Sequence, residues 1–578
     1  MSSVSTRVTT RAADLETMMA TSRGIAPTHH AYTLAGTGAE FLITDRVFVR
    51  FKEPLAAKRV TEFAKRYALL QLEKYSDRDY LFQLTDHTGM NPVKFVVALT
   101  ESEPLVAVAD NDLNYRVKKH AFKLPTDPDY RRQWHLHGHF KHASVDPRAN
   151  ARCERAWELL NSFGSRDVVI GIIDEGCDLD HPDFDSRGKF ASWGYFQGRR
   201  LVTRGETDAQ ASKMSDPGNH GTSCAGVCAA QINGTLTVGA APGCRILPIK
   251  LLSLGDSLSH SDSKLLTALT YLADKVDVVS NSWSVPPPRS LYATHVIQRV
   301  TELASTGGRR GRGILFLWAA GNENCPLQYT ANIKVPYTDG WNPSGDRRGK
   351  WVGVQKDRDF CNNLVGIPGV MHVAALASTA RRSHYSNYGY GISVCAPSSN
   401  KHTYLRMEVA GLRIITTKNG SVGKFGGTSS AAPLVAGIAA LVISANPRLT
   451  AFEVASILQR TACKDLNLHP YRRTPPAPFN RDTSWDVSPI APFDSGIFQD
   501  TGHPDGTWSP WFGYGRVDAA AAVAAAVGLE RPRRQGRQTL TPAKADIGSS
   551  SGGRRAPGAD GNRRAVLSSR TTVERQDP

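Results

Sequence analysis

A serine, a histidine and an aspartate, far apart in the chain, each sit in an apolar or small-residue setting. Asp174 ends the run Val168-Val169-Ile170-Gly171-Ile172-Ile173. His220 opens His220-Gly221-Thr222-Ser223-Cys224-Ala225-Gly226, and Ser429 lies within Gly427-Thr428-Ser429-Ser430-Ala431-Ala432-Pro433. A serine hydroxyl is a weak nucleophile; it needs a base to take its proton and an acid to orient that base. Ser429 is the candidate nucleophile, His220 the base and Asp174 the orienter. Asn322, after Ile314-Leu315-Phe316-Leu317-Trp318-Ala319-Ala320-Gly321, could donate its amide to an oxyanion. Each residue has a plainer reading alone. Ser429 reads as a helix cap, Asp174 as a strand-end cap, Asn322 as a turn residue and a lone His as structural. The four together, in chain order, point to nucleophilic hydrolysis.

These side chains need a frame. Apolar strand patterns at 168–173, 245–251, 276–280 and 314–320 alternate with helix patterns near 220–230, 261–273, 291–304, 430–445 and 451–462. Continuous apolar strands separated by helices predict an α/β fold: a doubly wound, mostly parallel sheet covered on both faces. Ligands then bind at the carboxyl ends of strands, where Asp174 and Asn322 fall. Ahead of this region, 46–52 reads as a strand, 54–70 as a helix, 79–84 as a strand, 92–99 as a helix, and 105–109 with 115–117 as strand material. That β-α-β-β-α-β-like order predicts a small α+β module. Segments 325–363 and 465–511 read as loop insertions.

The motifs resemble the subtilisin-like serine peptidases. The matching residues are Ile173-Asp174-Glu175-Gly176 with His181-Pro182-Asp183, His220-Gly221-Thr222, Ala319-Ala320-Gly321-Asn322 and Gly427-Thr428-Ser429. The order Asp, His, Ser is the subtilisin order. The likeness covers about residues 126–529 and includes Phe512-Gly513-Tyr514-Gly515-Arg516-Val517-Asp518-Ala519. Pro125-Thr126-Asp127-Pro128, Gln133-Trp134 and Cys224 lean toward the kexin-like branch, while Ser284 stands where the family usually has glycine.

The resemblance implies a serine endopeptidase acting on protein or peptide substrates through an acyl-enzyme. It implies substrate pairing as an added strand with Ser282, Trp283 and Ser284 and with Ala319, Ala320 and Gly321. It also implies a structural Ca2+ site from Asp127, Asp183 and Asn233, completed by the carbonyls of Gln231, Thr235 and Thr237; Asp183 and Asn233 also read as plain turn residues. Residues 41–119 resemble an intramolecular inhibitory propeptide, with self-cleavage expected near Lys119. The basic run there suggests a basic preference in the first substrate pocket, with Glu323 and Asp359 as candidate acids, and reads equally as a charged strand end. The organisation expected is 1–40 disordered, 41–119 propeptide-like, 126–529 peptidase and 530–578 a basic disordered tail. A decayed enzyme that only binds peptides is the competing class, although it would have lost one of the four residues.

Composition limits the remaining classes. The chain has 578 residues and a net charge of +17. Part of that charge lies in 531–578, with eleven Lys/Arg against four acids and no aromatics. This composition predicts a solvated tail rather than a nucleic-acid arm. No run is long enough for a membrane span. No signal-peptide pattern appears from Met1 to about Gly38, so cytoplasmic residence with reduced thiols is expected. Secretion by a non-standard route is the alternative. Nine cysteines show no ligand spacing, and Cys325 with Cys361 could bridge a loop.

Overall fold

The computed structural model describes residues 30–33, 40–115, 122–251, 261–338, 341–342, 350–351, 354–402, 407–474 and 489–530. The chain divides into two compact units, residues 1–123 and 124–578.

In the first unit, strands β1 (His30–Thr33), β2 (Glu40–Phe51), β3 (Leu69–Lys74), β4 (Asp79–Leu84) and β5 (Val106–Tyr115) form one antiparallel sheet in which β2 pairs with β1, β4 and β5. Helices α1 (Ala57–Arg66) and α2 (Pro92–Ser102) bury Val60, Phe63, Phe95 and Leu99 against Val47, Val49, Phe51 and Phe82. Three expectations need correction. The helix expected over 54–70 stops at Arg66, and Leu69 and Leu70 start β3 instead, because Ala68 turns the chain with φ 51°. The strand material expected as two pieces is the single strand β5. Within the N-terminal segment expected to be disordered, His30–Thr33 pairs with β2. Lys119 and the basic tail lie outside the described residues.

The second unit is built on eight strands: β6 (Val169–Asp174), β7 (Gly194–Gln197), β8 (Arg200–Thr203), β9 (Arg245–Lys250), β10 (Val278–Asn281) and, after the short β11 (Arg289–Ser290), β12 (Leu315–Ala319). Beyond β13 (Tyr329–Thr338), β14 (Trp341–Asn342), β15 (Lys350–Trp351) and β16 (Val354–Asn362) come β17 (Val370–Leu376) and β18 (Ile392–Pro397). The sheet order is β18-β17-β12-β10-β6-β9-β7-β8, parallel except for the edge hairpin β7–β8. The central strands carry no polar face, as a sheet covered on both sides requires. One face packs α5 (Asp262–Leu272) and α6 (Thr294–Thr306) through Leu265, Leu269, Val296 and Val300. The other elements are α3 (Cys153–Leu160), α4 (His220–Ala229), the hairpin β19 (Ile414–Lys418) with β20 (Ser421–Phe425), α7 (Thr428–Ala445), α8 (Ala451–Arg460) and α9 (Ala519–Glu530).

Among the described residues, α7 alone is long and apolar enough to cross a membrane, but it is almost wholly buried as the core helix of this unit. Within the stretch expected as a loop insertion after Cys325, β13 and β16 pair antiparallel. No disulfide links Cys325 to Cys361; both thiols are free.

Candidate active site

Asp174 is the last residue of β6, between β10 and β9, and is 1% exposed. Burying a carboxylate is costly unless it is paired. Its Oδ1 accepts the Glu175 N–H at 2.8 Å and meets His220 Nδ1 at 2.7 Å. His220 begins α4, and Gly221 explains how the helix comes so close. A Cβ at Gly221 would lie 2.1 Å from the Gly176 carbonyl oxygen and 3.0 Å from Asp174 Cβ. Only glycine lets this turn seat the imidazole on the carboxylate.

Burial by itself would lower the His220 pKa, but the facing Asp174 carboxylate outweighs it and holds the value well above the ordinary one. Cys224 lies behind the ring, its Sγ 3.9 Å from Nδ1. Burial pushes that thiol up to about 12, so it stays protonated at neutral pH and adds no charge.

Ser429 is the second residue of α7, and Gly427, with φ 74°, occupies the cap position, so the cap reading of the serine does not hold. Pro433 accounts for the local geometry. It lacks the N–H that would bond the Ser429 carbonyl four residues back. That carbonyl instead accepts the Ser282 hydroxyl at 3.1 Å and the Cys224 thiol at 3.5 Å. The Ser429 hydroxyl in turn donates to the Ser282 carbonyl at 3.1 Å. Ser429 and His220 line one cleft of about 370 Å³, together with Asn322. In this resting geometry the hydroxyl rests on Ser282 rather than on His220.

Asn322 follows β12. Its Oδ1 accepts the Thr428 N–H at 2.9 Å and the Thr428 hydroxyl at 3.1 Å, which turns the amide nitrogen away from Thr428. The Thr428 oxygen also accepts the Gly321 N–H at 3.1 Å. Gly321 has φ 103°, and a Cβ there would fall 2.3 Å from Asn387 Nδ2 and 2.5 Å from Glu323 Oε2. Sequence reasoning did not find the brace behind it. Glu323 Oε2 accepts the Asn322 N–H at 2.8 Å and Asn387 Nδ2 at 2.7 Å. Asn387 Oδ1 accepts the N–H groups of Glu323 at 3.0 Å and Cys325 at 3.1 Å. Only an Asn far along the chain announces it, and nothing local marks that residue.

The expected substrate segments leave neighbouring strands at the same end, because Asn281 pairs with Trp318 across β10 and β12. Ser282 is buried, Trp283 donates Nε1 to the Ile173 carbonyl at 3.0 Å, and Ser284 faces a small cavity with Ala320. Ala319 and Ala320 are buried. That cavity is walled by Pro288, Cys325, Cys361 and Asn387, and neither expected acid lines it. Glu323 is committed to Asn322 and Asn387, and Asp359 pairs with Arg289 and Thr330. Among the described residues, no carboxylate lines this cavity.

Hydrogen bonds link the expected metal ligands into two small groups. Asp127 Oδ1 accepts the N–H groups of Asn233 and Gly234, each at 3.1 Å, while its buried Oδ2 has no partner. Asp183 Oδ2 accepts the Thr237 N–H and hydroxyl at 2.9 Å. Asn233 Oδ1 accepts the Thr235 N–H at 3.0 Å, and Gln231 donates its N–H to the Asp183 carbonyl at 3.0 Å. Burial, with Asp127 nearby, raises the Asp183 pKa. Two buried carboxylates with an orphaned oxygen fit a hard cation.

A mostly parallel α/β sheet, with an aspartate-paired histidine at a strand end and a helix-borne serine and an asparagine in the cleft beside it, is a subtilisin-like fold. The chain belongs to the subtilase family, whose sequence profile matches residues 165–515. It is 28% identical over 513 residues to a calcium-dependent protease of the cyanobacterium Nostoc, covering 83% of this chain and 63% of that protein. It is 25% identical over 483 residues to bovine furin, covering 82% of this chain and 50% of furin. The chain therefore spans less than two thirds of the length of these relatives. A solved structure of Aeromonas sobria serine protease with its chaperone aligns at 18% identity and TM-score 0.48, over 70% of this chain and 67% of that one.

Proposed function

We propose that this chain is a serine endopeptidase with Asp174, His220 and Ser429 as its triad and Asn322 as an oxyanion donor. The observation that carries this reading is the 2.7 Å Asp174–His220 contact beside a cleft that Ser429 and Asn322 share. As the Ser429 oxygen attacks the peptide carbonyl, His220 takes its proton and Asp174 stabilises the imidazolium. The Asn322 amide and the Ser429 N–H, at the N-terminus of α7, receive the oxyanion. Collapse expels the amine, which takes the proton from His220, and water then hydrolyses the acyl-enzyme by the same route.

The peptide adds a strand along Ser282, Trp283, Ser284 and 319–321. Residues 41–119 act as an intramolecular propeptide of the 126–529 peptidase, removed by self-cleavage near Lys119. Ca2+, held by Asp127, Asp183, Asn233 and the carbonyls of Gln231, Thr235 and Thr237, would tie the loop at 231–237 to the segment at Asp183. The name of the cyanobacterial relative supports the calcium reading.

Fluorophosphonate labelling tests the catalytic reading. Native protein should be labelled at Ser429, and Ser429→Ala should be neither labelled nor self-processed. An unlabelled native protein, freed of its N-terminal unit, would favour the peptide-binding alternative.

A further inference from the structure

A second cleft of about 370 Å³ opens at the carboxyl edge of the sheet, beside the candidate active site. Its walls bring together Lys213, from the turn leading to His220, Lys250, at the end of β9, and Lys264, on α5. Lys250 is in register with Asp174, and Leu251 donates its N–H to the Asp174 carbonyl at 2.9 Å, so this cleft and the triad share one strand end. Among the described residues, none of the three lysines has an ion-pair partner. Lys250 donates to the Ser215 carbonyl at 2.6 Å, and the Lys264 ammonium stands 5.6 Å from the Phe196 ring centre.

Asp208, the one acid lining the cleft among the described residues, is occupied by Arg200, with contacts of 2.6 and 3.2 Å. Burial, more than the neighbouring Lys213, lowers the Lys250 pKa, and Asp216 and Glu175 partly offset both. Lys213 and Lys264 line the same cleft without an ion-pair partner among the described residues.

We propose that the cleft formed by Lys213, Lys250 and Lys264 is a subsite for acidic side chains of the peptide flanking the scissile bond. The proposal rests on the peptidase reading for the peptide's path. β9 is two strands from β10, about 10 Å away at the usual strand spacing, and an extended peptide advances about 3.3 Å per residue. The subsite therefore reads a side chain about two to four residues from the cleaved bond rather than the residue at it. Its selectivity is separate from that of the small cavity beside Ala320. Glutamate or aspartate suits it, because a partly exposed cluster of ammonium groups favours a carboxylate and loses that preference in salt.

The test uses the Ser429→Ala protein, freed of its N-terminal unit by an added protease, and, in parallel, the active protein. Peptides differing only by Glu or Gln at each position from two to four residues on either side of the bond are compared. Binding to the Ser429→Ala protein is read by fluorescence anisotropy, and cleavage by the active protein as kcat/KM. At one of these positions, Glu should be favoured about two- to fivefold in 50 mM NaCl. The preference should shrink at 500 mM and invert in Lys213→Glu/Lys264→Glu. Lys250 is left intact because its bond to Ser215 also holds the turn. Equal binding and cleavage of Glu and Gln peptides at every position, or a preference unchanged in the double variant, overturns the subsite. Glu-selective binding without any cleavage by the active protein would uphold the subsite and sink the peptidase reading instead.

Discussion

Thr428→Val separates a residue that holds the proposed oxyanion donor, Asn322, from one that touches the oxyanion itself. The Thr428 hydroxyl spends its proton on Asn322 Oδ1 at 3.1 Å and accepts the Gly321 N–H at 3.1 Å. Valine keeps the shape and removes both bonds. The bond from the Thr428 N–H to Asn322, at 2.9 Å, remains, so the amide loses one of its two anchors. One neutral hydrogen bond is worth about 0.5–1.5 kcal/mol, so kcat should fall about two- to twelvefold with little change in KM. Asn322→Ala removes the donor itself and should cost about 2.7–4 kcal/mol, a hundredfold or more. Because Thr428 acts through Asn322, adding Thr428→Val to Asn322→Ala should change kcat by less than about twofold. The assay is peptide p-nitroanilide hydrolysis by active-site-titrated enzyme. Stability, read by denaturant unfolding in a Ser429→Ala background, should drop by about 1–3 kcal/mol as the Gly321 N–H loses its acceptor. If the valine substitution costs the same factor with and without Asn322, the bracing argument is wrong and the hydroxyl serves the reaction directly.

Because His220 must be neutral to act as base and its pKa is raised, the acidic limb of kcat/KM should lie well above pH 6.5. Asp174→Asn should move that limb down while lowering kcat by about 10⁴-fold, and a limb that stays in place would contradict the assignment. The same shift should add stability below the unfolded histidine value of about 6.5 and lose it as pH rises through the folded one. At the metal site the sign is the same, over a lower pH window. The raised Asp183 pKa means the metal-free fold should lose stability as pH rises from about 4 through the folded value, and Ca2+ should restore it. Thermal melts of EDTA-treated protein with and without Ca2+ check this, and Asp127→Asn should blunt the Ca2+ response. Gly321→Ala should abolish activity and lower soluble yield, because its Cβ would meet Asn387 and Glu323; an active, normally folded Ala variant would refute the close packing.

The central sheet was readable because its strands are short apolar runs ended by polar residues, and a run such as Ile170 to Ile173 has no other use. His220-Gly221 and Gly427-Thr428-Ser429 were readable because small residues mark where backbones touch. What the sequence hid depends on long-range pairing. β3 was absorbed into the preceding helix pattern, since one left-handed residue, Ala68, ends α1 without a glycine or proline. The β13–β16 hairpin was read as a loop because its polar, interrupted strands find their partners only across a long insertion. Asn387 and Glu323 meet through the fold, more than sixty residues apart, so no spacing rule could join them. Lys213, Lys250 and Lys264 are scattered charges until the strand ends gather them.

The carbonyl that restrains the Ser429 hydroxyl belongs to the segment proposed to pair with the peptide. An arriving main chain would compete for that acceptor, and displacement would release the nucleophile toward the imidazole. Arming the enzyme and docking its target would then be one event, so a compact acylating reagent that never grips this edge should react sluggishly beside an extended peptide ester.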